Sequence, residues 1–350
     1  MLTKCNLYWR SLFALILSLA GCDYGDKPMT SFVPEKADWE VAFKRLEFEC
    51  IHEKDRLPPL DPNAHRLYQY GLHLSQLSGP KDFDQTARYY RIAAAHDHYR
   101  AATNLQALLS QGLTNAPRPA KETIDLVEDL INRGIPGAYY DMGHYLELGY
   151  GVRQDAEAAR YYFRRAADYG NPEAQYYVAN LLAKTGKAGA TPLAMMRCSM
   201  EQGHREAALR YGVSRKNEGL FIEALEAYQS ASKFGNPAGA RRLREAFNYS
   251  KTSNETYYLA ADIDSERSRR YSLITNFLNK YEHLGAKVPD IDRIVPLPPA
   301  KLPEWDETFE WKRKRDAAVP PSPPSEELIA RMCEEKDLDP ATGWPLSGLK

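Results

Sequence analysis

Ala138-Tyr-Tyr-Asp-Met142-Gly143-His-Tyr145, then Gly149-Tyr-Gly151-Val152, Asp155, Ala158-Ala159, Tyr162, Ala166-Ala167 and Gly170 form one structural unit. Ala138, Met142 and Tyr145 fall at i, i+4 and i+7, which is one face of a helix. Gly143, on that helix, lets a second helix come close. Gly149 and Gly151 supply the positive φ values of a tight turn, and Asp155 is placed to N-cap the helix after it. Ala159, Tyr162 and Ala166 give that second helix a buried stripe. Gly170 suits the left-handed residue that ends it, and Asn171-Pro172 restarts the pattern with a cap and a proline at the first helical position. The unit is therefore a helical hairpin, and Asn236-Pro237 after Gly235 repeats its closing signal.

The pattern recurs along the chain. Ala101, Ala138, Ala174, Ala207 and Ala238 each open a helical stretch, at spacings of 37, 36, 33 and 31 residues. Tyr70-Gly71 stands where Met142-Gly143 stands, and Ala87-Arg88-Tyr89-Tyr90 repeats Ala159-Arg160-Tyr161-Tyr162. About five units fit between Asp61 and Asn248. One hairpin leaves an apolar face uncovered, so neighbours must stack to complete the core. The expected fold is all-α, an α/α superhelical repeat solenoid over residues 38–250 with a Pro-rich C-terminal strap.

With those residues in view, the unit resembles the Sel-1-like repeat, a relative of the tetratricopeptide repeat. Over Ala138 to Ala174 the small residue, Met-Gly for Leu-Gly, Gly-x-Gly-Val, Asp, Tyr, Ala-Ala and Gly all fall in register. It departs at Ala158, where the family usually has Lys, and the flanking units lack Gly-x-Gly-Val. The resemblance implies a right-handed superhelix that binds another protein and has no catalytic residue.

The first 22 residues set the compartment. Lys4 and Arg10 precede an apolar run, Ser11 to Leu19, too short to span a bilayer. Leu19-Ala20-Gly21-Cys22 then looks like the lipobox of bacterial lipoproteins, which implies a signal peptide at 1–21, lipidation of Cys22 and anchoring on the periplasmic side of a bacterial membrane, inner or outer. Residues 22–37 read as a polar tether, and Trp39 to Ile51 as a first capping helix. The whole chain has 350 residues and a net charge of -1, with no basic excess to bind nucleic acid. Loss of Lys4 and Arg10 would leave the mature chain at -3. Beyond Cys22 its thiols are Cys50, Cys198 and Cys333, an odd number, and their spacing selects no pair.

Residues 251–285 read as a capping region whose helix runs from Ser265 to Leu284. Residues 286–350 form the Pro-rich strap, in which Trp305, Phe309 and Trp311 suggest extended chain pinned along the solenoid. A short helix from Ser325 to Lys336 follows, with Ser325 as its cap.

Motifs for catalysis are missing from the sequence. Gly149-x-Gly151 lacks the third glycine of a dinucleotide loop, and no nucleophile elbow, Walker loop or zinc-protease motif occurs. His96-Asp97-His98 has the residue types for a metal but falls at a helix end, where turn polarity accounts for it. The expectation is a binding scaffold with no catalytic residue, cofactor, metal or small-molecule substrate. Outward positions on the first helices, Tyr140, His144, Glu147, Tyr176 and Asn180, are the candidate protein-binding groove. A chain of this build resembles the lipoproteins that act as immunity proteins against type VI secretion phospholipase toxins. That resemblance implies a toxin as protein partner; an envelope adaptor is the alternative, and an enzyme or metal protein a remote one. If the lipobox is used, Cys22→Ser abolishes acylation and leaves a precursor or a soluble form; membrane fractionation matching wild type, with a processed N-terminus, is the contrary outcome.

Overall fold

The computed structural model describes residues 47–186, 188–250 and 255–347. Cys22, the signal peptide, the tether and the start of the expected first helix lie outside them. The described chain is all-α, with consecutive helices packed on one another and a single isolated bridge, Leu338 to Pro345. It divides into two compact units. One is Ser199–Ala317; the other combines the described residues up to Cys198 with those from Ala318 onward.

In the unit that ends at Cys198, α1 (Pro62–Gln76) and α2 (Phe83–Ala95), α3 (Tyr99–Ser110) and α4 (Pro119–Asn132), and α5 (Pro136–Leu148) and α6 (Ala156–Asp168) form three successive hairpins. Helix α7 (Pro172–Thr185) packs on α6, and α8 (Thr191–Glu201) follows it. The punctuation is as the sequence implies. Asp155 Oδ1 accepts from the amides of Glu157 and Ala158, and Asn171 Oδ1 from that of Ala174. Gly149, Gly151 and Gly170 have φ of 72, 67 and 100°. Ala159, Tyr162 and Ala166 are buried.

Two of these hairpins close a glycine of the first helix on an aromatic ring. A Cβ at Gly143 would stand 2.6 Å from the Phe163 ring, and one at Gly71 2.9 Å from Tyr90. Helix backbone and ring occupy the space a side chain would fill, which sets how near the two helices come.

The expected helix over Trp39 to Ile51 is corrected where it is described, because residues 47–52 are not helical. Their carbonyls are taken by side chains instead of a helical ladder. Glu47 O accepts from Arg164 Nη2, and Ile51 O from Gln175 Nε2. The Cys50–Cys198 disulfide fastens this segment, closing 148 residues of chain. A loop of that length restricts the unfolded ensemble by up to about 5 kcal/mol on chain-entropy grounds. Cys333 is the free, buried thiol.

In Ser199–Ala317, α9 (Arg205–Asn217) pairs with α10 (Phe221–Lys233), and α11 (Pro237–Ala246) with α12 (Ser265–Lys280). Gly212 repeats the glycine contact against Tyr228 at 2.7 Å. The strap is partly helical, not wholly extended. It holds a turn of helix, α13 (Ile291–Ile294), and α14 (Glu310–Asp316). Its polar anchors are buried: Gln229 Nε2 donates to Val295 O, and Tyr271 Oη to Gln229 Oε1. Phe309 stacks on Phe277 at 3.9 Å between centroids.

The chain end belongs to the other unit. Helix α15 (Glu326–Glu334), capped by Ser325, inserts Ile329, Met332 and Cys333 into the α1–α3 core. Trp344 covers the guanidinium of Arg91, which forms a buried 2.6 Å ion pair with Glu122.

Gly143→Ala tests the glycine contact. The added methyl forces Phe163 aside, at a cost of about 1–3 kcal/mol, so the melting temperature falls clearly below wild type. An unchanged value means the hairpin tolerates wider spacing.

Candidate functional site

Helix α5 lies next to α7. The aromatic side chains of these two helices meet over Phe163. Tyr140 meets His144 edge-on at 4.6 Å and Tyr177 at 6.1 Å, while Phe163 lies 4.8 Å from His144 and 4.6 Å from Tyr177. Glu147 joins the cluster to solvent. Its carboxylate accepts from Tyr177 Oη at 3.0 Å and lies 3.4 Å from His144 Nδ1. The ring that spaces the α5–α6 hairpin is therefore also the floor of an aromatic patch.

The groove residues chosen from sequence fare differently. Tyr140, His144 and Glu147 come together here, partly or fully exposed. Tyr176 is only 9% exposed, and Asn180 donates to the carbonyl of Tyr176. Tyr177 takes the place given to Tyr176. Repeat register does not give it: Tyr176 stands two residues after Ala174 as Tyr140 does after Ala138, whereas Tyr177 is in register with Asp141.

Asp141 is not among the groove residues chosen from sequence. It makes no hydrogen bond or ion pair with any described residue. Desolvation and the neighbouring Glu53 carboxylate push its pKa up to about 7. Glu53 is itself raised, by burial first and by Glu173 to a lesser degree, although Asn171 Nδ2 donates to it at 2.9 Å. Burial and the surrounding carboxylates also raise the Tyr140 hydroxyl. His144 is lowered by desolvation, against the pull of Glu147.

The histidine pair of the sequence is split. His98 is buried, N-caps α3 and faces His65 Nδ1 across 3.1 Å. Burial and His65 drive its pKa down to about 4. His96 instead contacts the carbonyl of Met332. Cys50, His52 and Cys198 lie within 4.8 Å of one another, but both sulfurs are spent in the disulfide.

Fold and surface together define a helical-repeat scaffold. The chain carries Sel1 repeats at residues 64–98 and 136–171, and residues 239–346 match a domain of unknown function, DUF6396. Among solved structures it resembles Pseudomonas aeruginosa PA5086 and the P. aeruginosa immunity protein Pa5087. These are 26% and 25% identical, each with 72% of this chain and 95% of the other covered, and a TM-score of 0.55. The immunity protein PA5088 of the same organism shares the fold, at 23% identity, 72% and 94% coverage and a TM-score of 0.56. A curated relative, the chitin synthase regulator SKT5 of Malassezia restricta, is 26% identical over 158 residues; these are 44% of this chain and only 11% of that protein.

Asp141→Asn isolates the strained carboxyl. A folded-state pKa raised above the unfolded value means a penalty that is full above pH 7 and relieved as pH falls towards 4. The variant should be more stable than wild type by about 1–3 kcal/mol at pH 8, and the gap should close on acidification. His98 acts in the opposite sense, its contribution present above pH 6.5 and lost towards pH 4, but it is common to both proteins. A gap that does not depend on pH contradicts the assignment.

Proposed function

We propose that this protein is a lipid-anchored immunity protein on the periplasmic side of a bacterial membrane, which holds a type VI secretion phospholipase toxin and blocks it by occlusion, without turnover. The observation that carries the reading is the patch of Tyr140, His144, Tyr177 and Glu147 over Phe163. Large, stiff aromatic side chains with polar tips, gathered on one face, are the composition of binding hot spots. Support for the role also comes from the likeness to Pa5087, an immunity protein. The lipobox at Leu19 to Cys22, following its apolar run, supports the anchoring. Held at the membrane, such a scaffold meets a lipid-directed toxin where the toxin acts.

Tyr140→Ala and Tyr177→Ala should each weaken the complex with the cognate toxin by about 2 kcal/mol, roughly thirtyfold, with helicity unchanged. Deleting the gene should make cells sensitive to toxin delivered by neighbours, and the anchored form should restore resistance. Full resistance after deletion, with no paralogue to substitute, turns the reading to an envelope adaptor.

A further inference from the structure

We propose that the cavity between α13, the 304–308 segment and α14 binds a short neutral saccharide, with a sugar ring against Trp305 and the carboxylates of Asp290 and Glu304 accepting from its hydroxyls. The site lies in the strap, away from the aromatic patch, and does not depend on how that patch is read.

Shape is the first argument. The cavity has a volume of about 550 Å³, within the range of roughly 300–1,000 Å³ usual for ligand sites. Its walls are fixed from behind: Arg270 Nη1 donates to Ile294 O at 2.6 Å, and the Arg267 guanidinium to the carbonyls of Pro296 and Ala300. Asp306 Oδ1 accepts from the amide and the hydroxyl of Thr308, and Trp305 Nε1 donates to Thr308 O at 2.9 Å. With its N–H spent in this way, the half-buried indole offers the cavity ring carbon alone. The electron-rich face of such a ring attracts the polarised C–H bonds of a sugar.

Unmet hydrogen-bonding capacity is the second argument. Asp290 lines the cavity and is only 6% exposed. Its Oδ2 accepts from the Glu310 amide at 3.0 Å, but its Oδ1 has no partner among the described residues. A buried acceptor left without a donor is costly, and a ligand hydroxyl removes that cost. Glu304, exposed at the same cavity, makes no hydrogen bond or ion pair with any described residue. Arg293 bonds to Glu310 through Nη2, and Arg313 to the Thr308 hydroxyl through Nη1. Each guanidinium carries five N–H donors, so both have donors left for a ligand.

The mixture of charges selects the ligand class. The carboxylates of Asp290, Glu304 and Asp306 oppose a phosphate or other anion, and the two guanidiniums oppose a metal ion or a basic side chain. An apolar ligand would leave all five groups unmatched. A hydroxyl both donates and accepts, so a saccharide satisfies carboxylate and guanidinium alike, through charge-assisted hydrogen bonds, while its C–H face lies on Trp305.

The test presents the whole protein to an array of neutral, sialylated and sulfated glycans, and titrates maltotriose, cellotriose and triacetylchitotriose by calorimetry. Neutral glycans should be retained in preference to the charged ones, and at least one of the three sugars should bind in solution. Asp290→Asn, which keeps an acceptor for the Glu310 amide, and Glu304→Gln, at an exposed position, should each lower that affinity tenfold or more with helicity unchanged. Trp305→Leu should abolish binding, while Glu226→Gln, which removes a charge from an exposed site on α10, should change nothing. Failure of every neutral glycan to bind, binding confined to the sialylated or sulfated ones, or a Glu304→Gln variant that binds as wild type does overturns the inference.

Discussion

A glycine backbone pressed against an aromatic ring is the contact on which this molecule depends. Gly71 meets Tyr90, Gly143 meets Phe163 and Gly212 meets Tyr228, and in each pair a Cβ would intrude to within 3 Å of the ring. The rings are almost wholly buried, each contributing about 1.5–3 kcal/mol of apolar burial. More important is what the contact does to geometry. With the spacing of the α5–α6 hairpin set by a rigid disc, α5 also comes to lie beside α7. In the 138–170 unit the disc is not hidden completely from the outer face, since Phe163 also touches Tyr140, His144 and Tyr177. Phe163 thus serves both the hairpin spacing and the aromatic patch there.

The same face carries a cost that packing alone would not select. Asp141 sits in partial shelter, its carboxyl raised by desolvation and by Glu53, which comes from a distant part of the chain. That juxtaposition is held in place: the Cys50–Cys198 disulfide, the Arg164 and Gln175 hydrogen bonds and the close passage of residues 51–53 over Gly170 all fix the N-terminal segment. Gly170 is needed twice over, for its positive φ and because a side chain would strike the backbone of that segment.

The C-terminal portion follows a different logic. Its aromatic residues pack on α12 and its buried polar atoms find partners in Gln229 and Tyr271, so the strap is part of a core and not a covering laid on one. The last helix closes the hydrophobic cluster around α2, and Trp344 shields the Arg91–Glu122 pair, whose two charges would be expensive to leave exposed to an apolar surround without each other.

What the sequence determined by itself was local. Hairpin turns, caps and buried stripes depend on residues within a few positions of each other, so Gly149, Gly151, Asp155, Asn171 and the Ala159–Tyr162–Ala166 stripe could be read directly. Tyr140, His144 and Glu147 were legible for the same reason, being one helical face. Tertiary structure decided whatever joins distant residues. The pairing of Cys50 with Cys198, the extended run of 47–52 where a helix was expected, the approach of Glu53 to Asp141 and the substitution of Tyr177 for Tyr176 all turn on how α5, α6 and α7 lie against each other. A helical period assigns a residue to a face, but only the neighbouring helix determines whether that face is core or surface.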